Sequence, residues 1–106
     1  MKELIYEDII FKVGQNSKEN WDLLSENDNF MWFHLASFPS CYVICCDEDP
    51  TSEMILYASK LCKENTKYRN LKNLRVNYTP IKNLKKGEVE GMVYIKSKRK
   101  VNNILV

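Results

Sequence analysis

His34 is the only imidazole in the sequence, so any serine, cysteine or threonine nucleophile would need it as its base. No serine sits in a G-x-S-x-G elbow. The nucleophilic arrangement left open is a Cys41–His34 pair on neighbouring strands. A glycosidase-like pair of carboxylates stays open, since residues 1–53 are full of acids, yet Asp47, Glu48 and Asp49 stand at a helix start, where acids serve capping. Neither G-x-G-x-x-G nor G-x-x-x-x-G-K-[ST] occurs, so the common phosphate cradles are absent. The four cysteines, Cys41, Cys45, Cys46 and Cys62, include no C-x-x-C and so lack the usual spacing of zinc ligands. They read as small buried hydrophobes. The expectation is a protein without catalytic residues, metal or cofactor.

Binding chemistry is better represented. Residues 1–53 hold 3 Lys and 11 Asp or Glu, a balance of −8, whereas residues 54–106 hold 13 Lys or Arg and 3 Glu, a balance of +10. Such asymmetry points to a polyanion-binding surface, unless the halves interleave in space and the field cancels. Two segments stand out. In Trp32-Phe33-His34, strand alternation puts Trp32 and His34 on one face and Phe33 on the other. With Phe33 in the core, Trp32 and His34 would form an exposed platform for stacking bases, each worth about 1–3 kcal/mol; under a helix or loop, they would instead hold the sheet together. In 77–86, NYTPIKNLKK, amide and aromatic groups alternate with lysines, as in phosphate- and sugar-contacting loops. Lys72, Arg75, Lys96, Lys98, Arg99 and Lys100 add to that charge.

The elements that must position these residues follow from pattern. Residues 8–13 read as a strand stopped by Gly14, and Asn16 or Ser17 caps a helix reaching to about Asn27. Residues 31–35 form a strand, 36–40 a turn and 41–46 a second strand, with Cys41 and Cys45 on one face and Cys46 on the other. The main helix starts with Asp49 as N-cap and Pro50 in its first turn, presents Met54, Ile55, Ala58, Leu61 and Cys62 on one face, and fades around Asn65. Residues 74–78 form a strand closed by Thr79-Pro80, and 82–87 a basic loop. Residues 92–95 and 101–106 look like a hairpin around a turn at 97–100. The order β, α, β, β, α, β, β, β implies an α+β domain with a mostly antiparallel sheet and two covering helices. With 106 residues, it is a single domain spanning 1–106. No segment has the about 20 apolar residues of a membrane helix, and residues 1–10 do not resemble a secretory leader; a cytoplasmic location is expected.

These segments together resemble a known family. Val13-Gly14-Gln15-Asn16 with Glu19-Asn20 is similar to the opening motif of the NFACT RNA-binding domain, NFACT-R. Asp28, Trp32-Phe33-His34 and Pro39-Ser40 follow its acidic–WFH–turn segment. Val76-Asn77-Tyr78-Thr79-Pro80, Asn83-Leu84-Lys85-Lys86 and Gly91 follow its end. The wording of the last motif resembles most the stand-alone members of the family. Gln15 departs from the pattern, standing where Arg or Lys is frequent, as does Tyr42, where many members have a second histidine.

The resemblance implies a non-catalytic module binding structured RNA, tRNA or rRNA, in a ribosome-associated or translation quality-control setting, with DNA as a further ligand. The residues expected to bind are Lys12, Lys82, Lys85 and Lys86 for phosphates and Trp32, His34 and Tyr78 for a base or ribose. Asn16, Asn20 and Asn83 are expected to make polar contacts or shape loops. The alternative is a protein-interaction module that uses the basic C-terminal half to bind a ribosomal or acidic protein.

Overall fold

The computed structural model describes residues 1–106. The fold is α+β. Six strands form one antiparallel sheet in the order β1-β2-β4-β3-β5-β8, with β1 at Lys2–Tyr6, β2 at Ile9–Val13, β3 at Met31–Leu35, β4 at Val43–Cys45, β5 at Arg75–Pro80 and β8 at Asn102–Leu105. The helices are α1, Ser17–Leu23, and α2, Ser52–Glu64. A separate two-stranded ribbon pairs β6, Leu84–Lys86, with β7, Val93–Ile95. No helix is long and apolar enough to cross a membrane.

Both faces of the sheet centre are buried, and strand alternation sorts the apolar residues between them. One face carries Phe11, Val13, Phe33, Leu35, Val43, Cys45 and Val76 against Met54, Ala58, Leu61 and Cys62 of α2. The other packs Trp32, Tyr42 and Ile44 against Leu23 of α1 and against Ile81 and Leu84, with Val93 and Ile95 at the margin. The two helices therefore cover opposite faces, and the β6–β7 ribbon shares the second face with α1. The cysteines follow the expected alternation: Cys41 and Cys45 belong to the α2 face, and Cys46 to the other.

Several expectations are corrected. β1 pairs with β2 through a two-residue turn at Glu7 and Asp8, whose φ values of 52° and 61° place both in the left-handed region. The segment read as a basic loop contains a 3-10 turn at Ile81–Asn83 and then β6. β7 pairs with β6, and β8 with β5, so the final two strands belong to different sheets and form no hairpin. Thr51, not Asp49, caps α2: its side chain accepts the Met54 N–H at 3.2 Å. Asp47 instead closes a turn by accepting the Asp49 N–H at 2.8 Å. α1 ends at Leu23, short of Asn27, where the chain turns on an Asn27 side chain that accepts the Asn29 N–H.

Asn16 caps α1 by accepting the Glu19 N–H at 2.9 Å. Asn20, one turn on, accepts the Tyr42 N–H at 3.2 Å and so fastens α1 to the strand side of the sheet. Gly14 makes that approach possible, because a Cβ there would lie 2.2 Å from Asn20 Oδ1. Gly14→Ala is expected to cost about 1–2 kcal/mol in urea unfolding by displacing the Asn20 amide. In an Asn20→Ala background the same substitution should cost far less; equal costs in the two backgrounds would rule out this clash as the cause.

Candidate nucleic-acid interface

The basic residues converge on the segment from the 3-10 turn to the end of the ribbon. Lys82, Lys85, Lys86 and Lys96 lie on or beside β6 and β7, and Lys98, Arg99 and Lys100 form a second 3-10 turn. All seven side chains are exposed. The ion pairs of the molecule, Met1–Glu19, Lys12–Glu26 and Lys18–Asp22, involve none of them. Lys82 Nζ donates to Asn29 Oδ1 at 3.0 Å, and Lys86 Nζ lies 5.2 Å from the centre of the Trp21 ring. Lys82, Lys86 and Lys96 also line a cleft of about 210 Å³ that includes Asp28.

Asn83 holds this segment in place. It is 4% exposed. Its amide donates to Thr79 Oγ1 at 3.0 Å and to the Ser97 carbonyl at 2.9 Å, and its Oδ1 accepts the Ser97 N–H at 2.9 Å. Its backbone carbonyl takes the Lys96 N–H, while Thr79 Oγ1 donates to the Lys100 carbonyl at 2.9 Å. Asn83 is thus the loop-shaping residue of the two roles expected for it.

Above the second face of the sheet, a groove of about 450 Å³ runs between α1, β3 and the chain before β7. Asn20, Trp32, His34, Tyr42 and Asn77 line it. His34 stacks on Trp32 with centroids 5.5 Å apart and meets Tyr42 edge-on at 5.0 Å. The Tyr42 hydroxyl donates to the Gly91 carbonyl, and Trp21 Nε1 donates to the Met92 carbonyl at 2.8 Å, which together anchor the strap leading into β7. Gly91 needs to be glycine here: its φ is +90°, and a Cβ would come within 3.0 Å of Ser17. Burial lowers the His34 pKa from 6.5 to about 4, so the ring is neutral near pH 7. Burial likewise pushes the Tyr42 phenol up to about 12.

The structure thus divides the expected binding residues. Lys82, Lys85 and Lys86 come together, as do Asn20, Trp32 and His34, with Asn16 in an adjoining cleft of about 580 Å³ that shares Asn20 and Ser17 with the groove. Trp32 is corrected: at 2% exposure it lies under α1 and the ribbon and offers no open platform. Tyr78 is corrected too, because it packs on the α2 face, stacked 5.3 Å from Phe33, with the sheet between it and His34. Lys12 is tied to Glu26 at 3.0 Å, a contact that raises its pKa, and it is not a free phosphate ligand. Cys41 and His34 lie on opposite faces, and the buried thiol of Cys62 beside Cys41 holds the Cys41 pKa below its usual value.

Sequence reasoning left Asn77, Lys96 and the 98–100 turn out of the binding set. Asn77 is the direct cross-strand partner of His34. Alternation along β5 carries that signal, since Asn77 has the opposite facing to Tyr78.

No family model and no curated protein matches the chain. The fold is similar to the solved C-terminal part of the fibronectin/fibrinogen-binding protein from Streptococcus suis, with a TM-score of 0.87 and 24% identity over 98% of this chain. The match spans 43% of that structure's chain, and at this identity it shows a shared fold alone.

Two outcomes test this geometry. Asn83→Ala leaves the Ser97 N–H unpaired and removes one donor each from the Ser97 carbonyl and Thr79 Oγ1, and is expected to cost about 2–4 kcal/mol, lowering the melting temperature by at least about 8 °C. A loss below about 1 kcal/mol would show that the node is not what holds the ribbon. For His34, the unfolded chain takes up a proton near pH 6.5 and the folded chain only near 4. Stability is therefore full above about pH 6.5 and falls with pH between these values, by about 2 kcal/mol from pH 7 to pH 5. Urea unfolding of His34→Gln should show a correspondingly smaller loss over the same interval.

Proposed function

We propose that the chain is a non-catalytic nucleic-acid-binding module whose ligand is structured RNA, tRNA or rRNA, with the β6–β7 ribbon and the 98–100 turn as its contact surface. The carrying observation is the set of seven exposed cations on one segment with no carboxylate paired to any of them. Phosphates attract such an array through counterion release, which provides affinity with little sequence discrimination. The rigid seat supplied by Asn83 favours a shaped ligand, because the charges are held in fixed relative positions. The resemblance of Asn83–Lys86 to NFACT-R falls on this same segment, with Val76–Pro80 in the strand that leads into it, and supports RNA in a ribosome-associated, cytoplasmic setting.

A second reading, a protein-interaction module, is favoured by Val89, Met92 and Tyr94, apolar side chains exposed at 60%, 53% and 49% on or next to the same ribbon. The structurally similar streptococcal protein is named for binding fibronectin and fibrinogen.

Fluorescence anisotropy with tRNA, duplex DNA and heparin over a salt series separates these readings. The RNA reading expects tRNA to bind more tightly than heparin. Lys85→Ala/Lys86→Ala should weaken tRNA binding and flatten the slope of log K against log salt by about 1–2. Lys12→Ala, whose charge Glu26 already neutralises, should leave the slope unchanged. Equal binding of all three polyanions, or none tighter than about 100 μM near physiological salt, would direct the search to a protein partner.

A further inference from the structure

We infer that the groove beside the ribbon is a pocket for one unpaired nucleobase of the bound strand, held by His34, Asn77 and the indole N–H of Trp32. The inference rests on the RNA reading above and adds a second, discriminating contact to it.

Trp32 Nε1 is the molecule's one buried side-chain nitrogen or oxygen without a hydrogen-bond partner. Trp32 itself lines the groove. A buried N–H left unpaired costs about 1–3 kcal/mol, so a ligand acceptor that reached it would recover that cost. His34 and Asn77, direct neighbours across β3 and β5, make no side-chain hydrogen bond within the protein. The groove is therefore lined by three residues whose polar side-chain groups are unengaged, the Trp32 N–H buried at its floor and open to an acceptor only once a ligand displaces its cover.

Their chemistry selects the class of ligand. The desolvated His34 ring is neutral and presents one donor and one acceptor, as the Asn77 amide presents donors and an acceptor. Glu90 is the charged residue at the rim, and it repels phosphate. A neutral, planar heterocycle with donors and acceptors on its edge fits this set, and a phosphate does not. The volume of about 450 Å³ lies within the about 300–1,000 Å³ typical of small-ligand sites. Val93 and Ile95 of β7 supply an apolar wall.

Location ties the pocket to the cations. Val93, in that wall, is the cross-strand partner of Lys86. Adjacent strands lie about 4.8 Å apart, so a strand of RNA on the lysines passes within one nucleotide of the groove. The ribbon would bind the backbone while the groove receives a base turned out of the stack, as in recognition of RNA loops and bulges.

The test compares two RNA hairpins with the same stem, one with an unpaired loop and one blunt-ended and joined by a non-nucleotide linker. Wild type should prefer the loop RNA. His34→Ala and, separately, Asn77→Ala should weaken loop binding about tenfold and leave the blunt stem unchanged. Lys85→Ala/Lys86→Ala should weaken both RNAs alike. Loop-to-stem ratios unchanged in both groove variants, each shown folded by its amide NMR spectrum, would overturn the pocket.

Nucleoside monophosphates added at millimolar concentration provide a separate readout. Shifts of the His34 ring and Asn77 side-chain resonances support the pocket even if neither RNA binds, in which case the RNA reading alone fails. Absence of those shifts together with absence of loop preference overturns the pocket while leaving phosphate binding by the ribbon intact.

Discussion

The proposed binding surface is organised by a single buried amide. Asn83 makes three side-chain hydrogen bonds at 4% exposure, and between them these join the end of β5 to the chain beyond β7. Without that node, the ribbon's apolar contacts through Leu84, Val93 and Ile95 would still press it against the sheet, but the side-chain tie between β5 and the chain beyond β7 would be lost. Hydrophobic packing is nondirectional; hydrogen bonds with a buried amide are not. Because Thr79 Oγ1 both accepts from Asn83 and donates to the Lys100 carbonyl, the same node sets the position of the 98–100 turn. Cations far apart in sequence are thus placed by one polar cluster.

A two-stranded ribbon is marginal by itself. Here the second face of the sheet supports it. Tyr42 reaches from the residue before β4 to the Gly91 carbonyl and Trp21 from α1 to the Met92 carbonyl, so the strap before β7 is held from two sides. That arrangement leaves a groove instead of a filled core between them, because Gly91 meets Ser17 at the roof while His34 and Asn77 remain below. The groove is a consequence of how the ribbon is fastened.

Much of the fold was legible in the sequence. β3 was found with its full extent because 31–35 is an apolar, aromatic run whose turn residues follow at once, and strand geometry then gave the facing of Trp32, Phe33 and His34. The apolar stripe of α2 and its end at Asn65 were legible for the same reason: period and cap agree. β1 was not, since its turn is Glu7-Asp8 and lacks the Asn-Gly or Asp-Gly signature of a type I′ hairpin. β6 escaped because three residues of Leu-Lys-Lys carry no period, and its pairing with β7 depends on contacts made elsewhere. The candidate binding residues were legible as types but not as a site. Alternation paired Trp32 with His34 correctly, yet whether that face meets solvent depends on the ribbon covering it, which no local pattern records. Tyr78 was grouped with them by proximity in the motif, although its neighbour Asn77 has the matching facing.

The net charge of +2 conceals how the charges are paired. The three ion pairs all lie within residues 1–26, where Met1, Lys12 and Lys18 meet Glu19, Glu26 and Asp22. Two of the three cationic side chains of the acidic half are therefore engaged by acids of that same half, and the third, Lys2, has no ion-pair partner. The acids that remain do not cross over to pair with the basic half. Asp28 shares a cleft with Lys82, Lys86 and Lys96, yet Lys82 donates to Asn29 and forms no ion pair. The interleaving that would have cancelled the sequence asymmetry does not occur at the level of contacts. The polarity written along the chain persists as unpaired cations on one rigid segment, where an approaching polyanion meets them without first displacing a carboxylate.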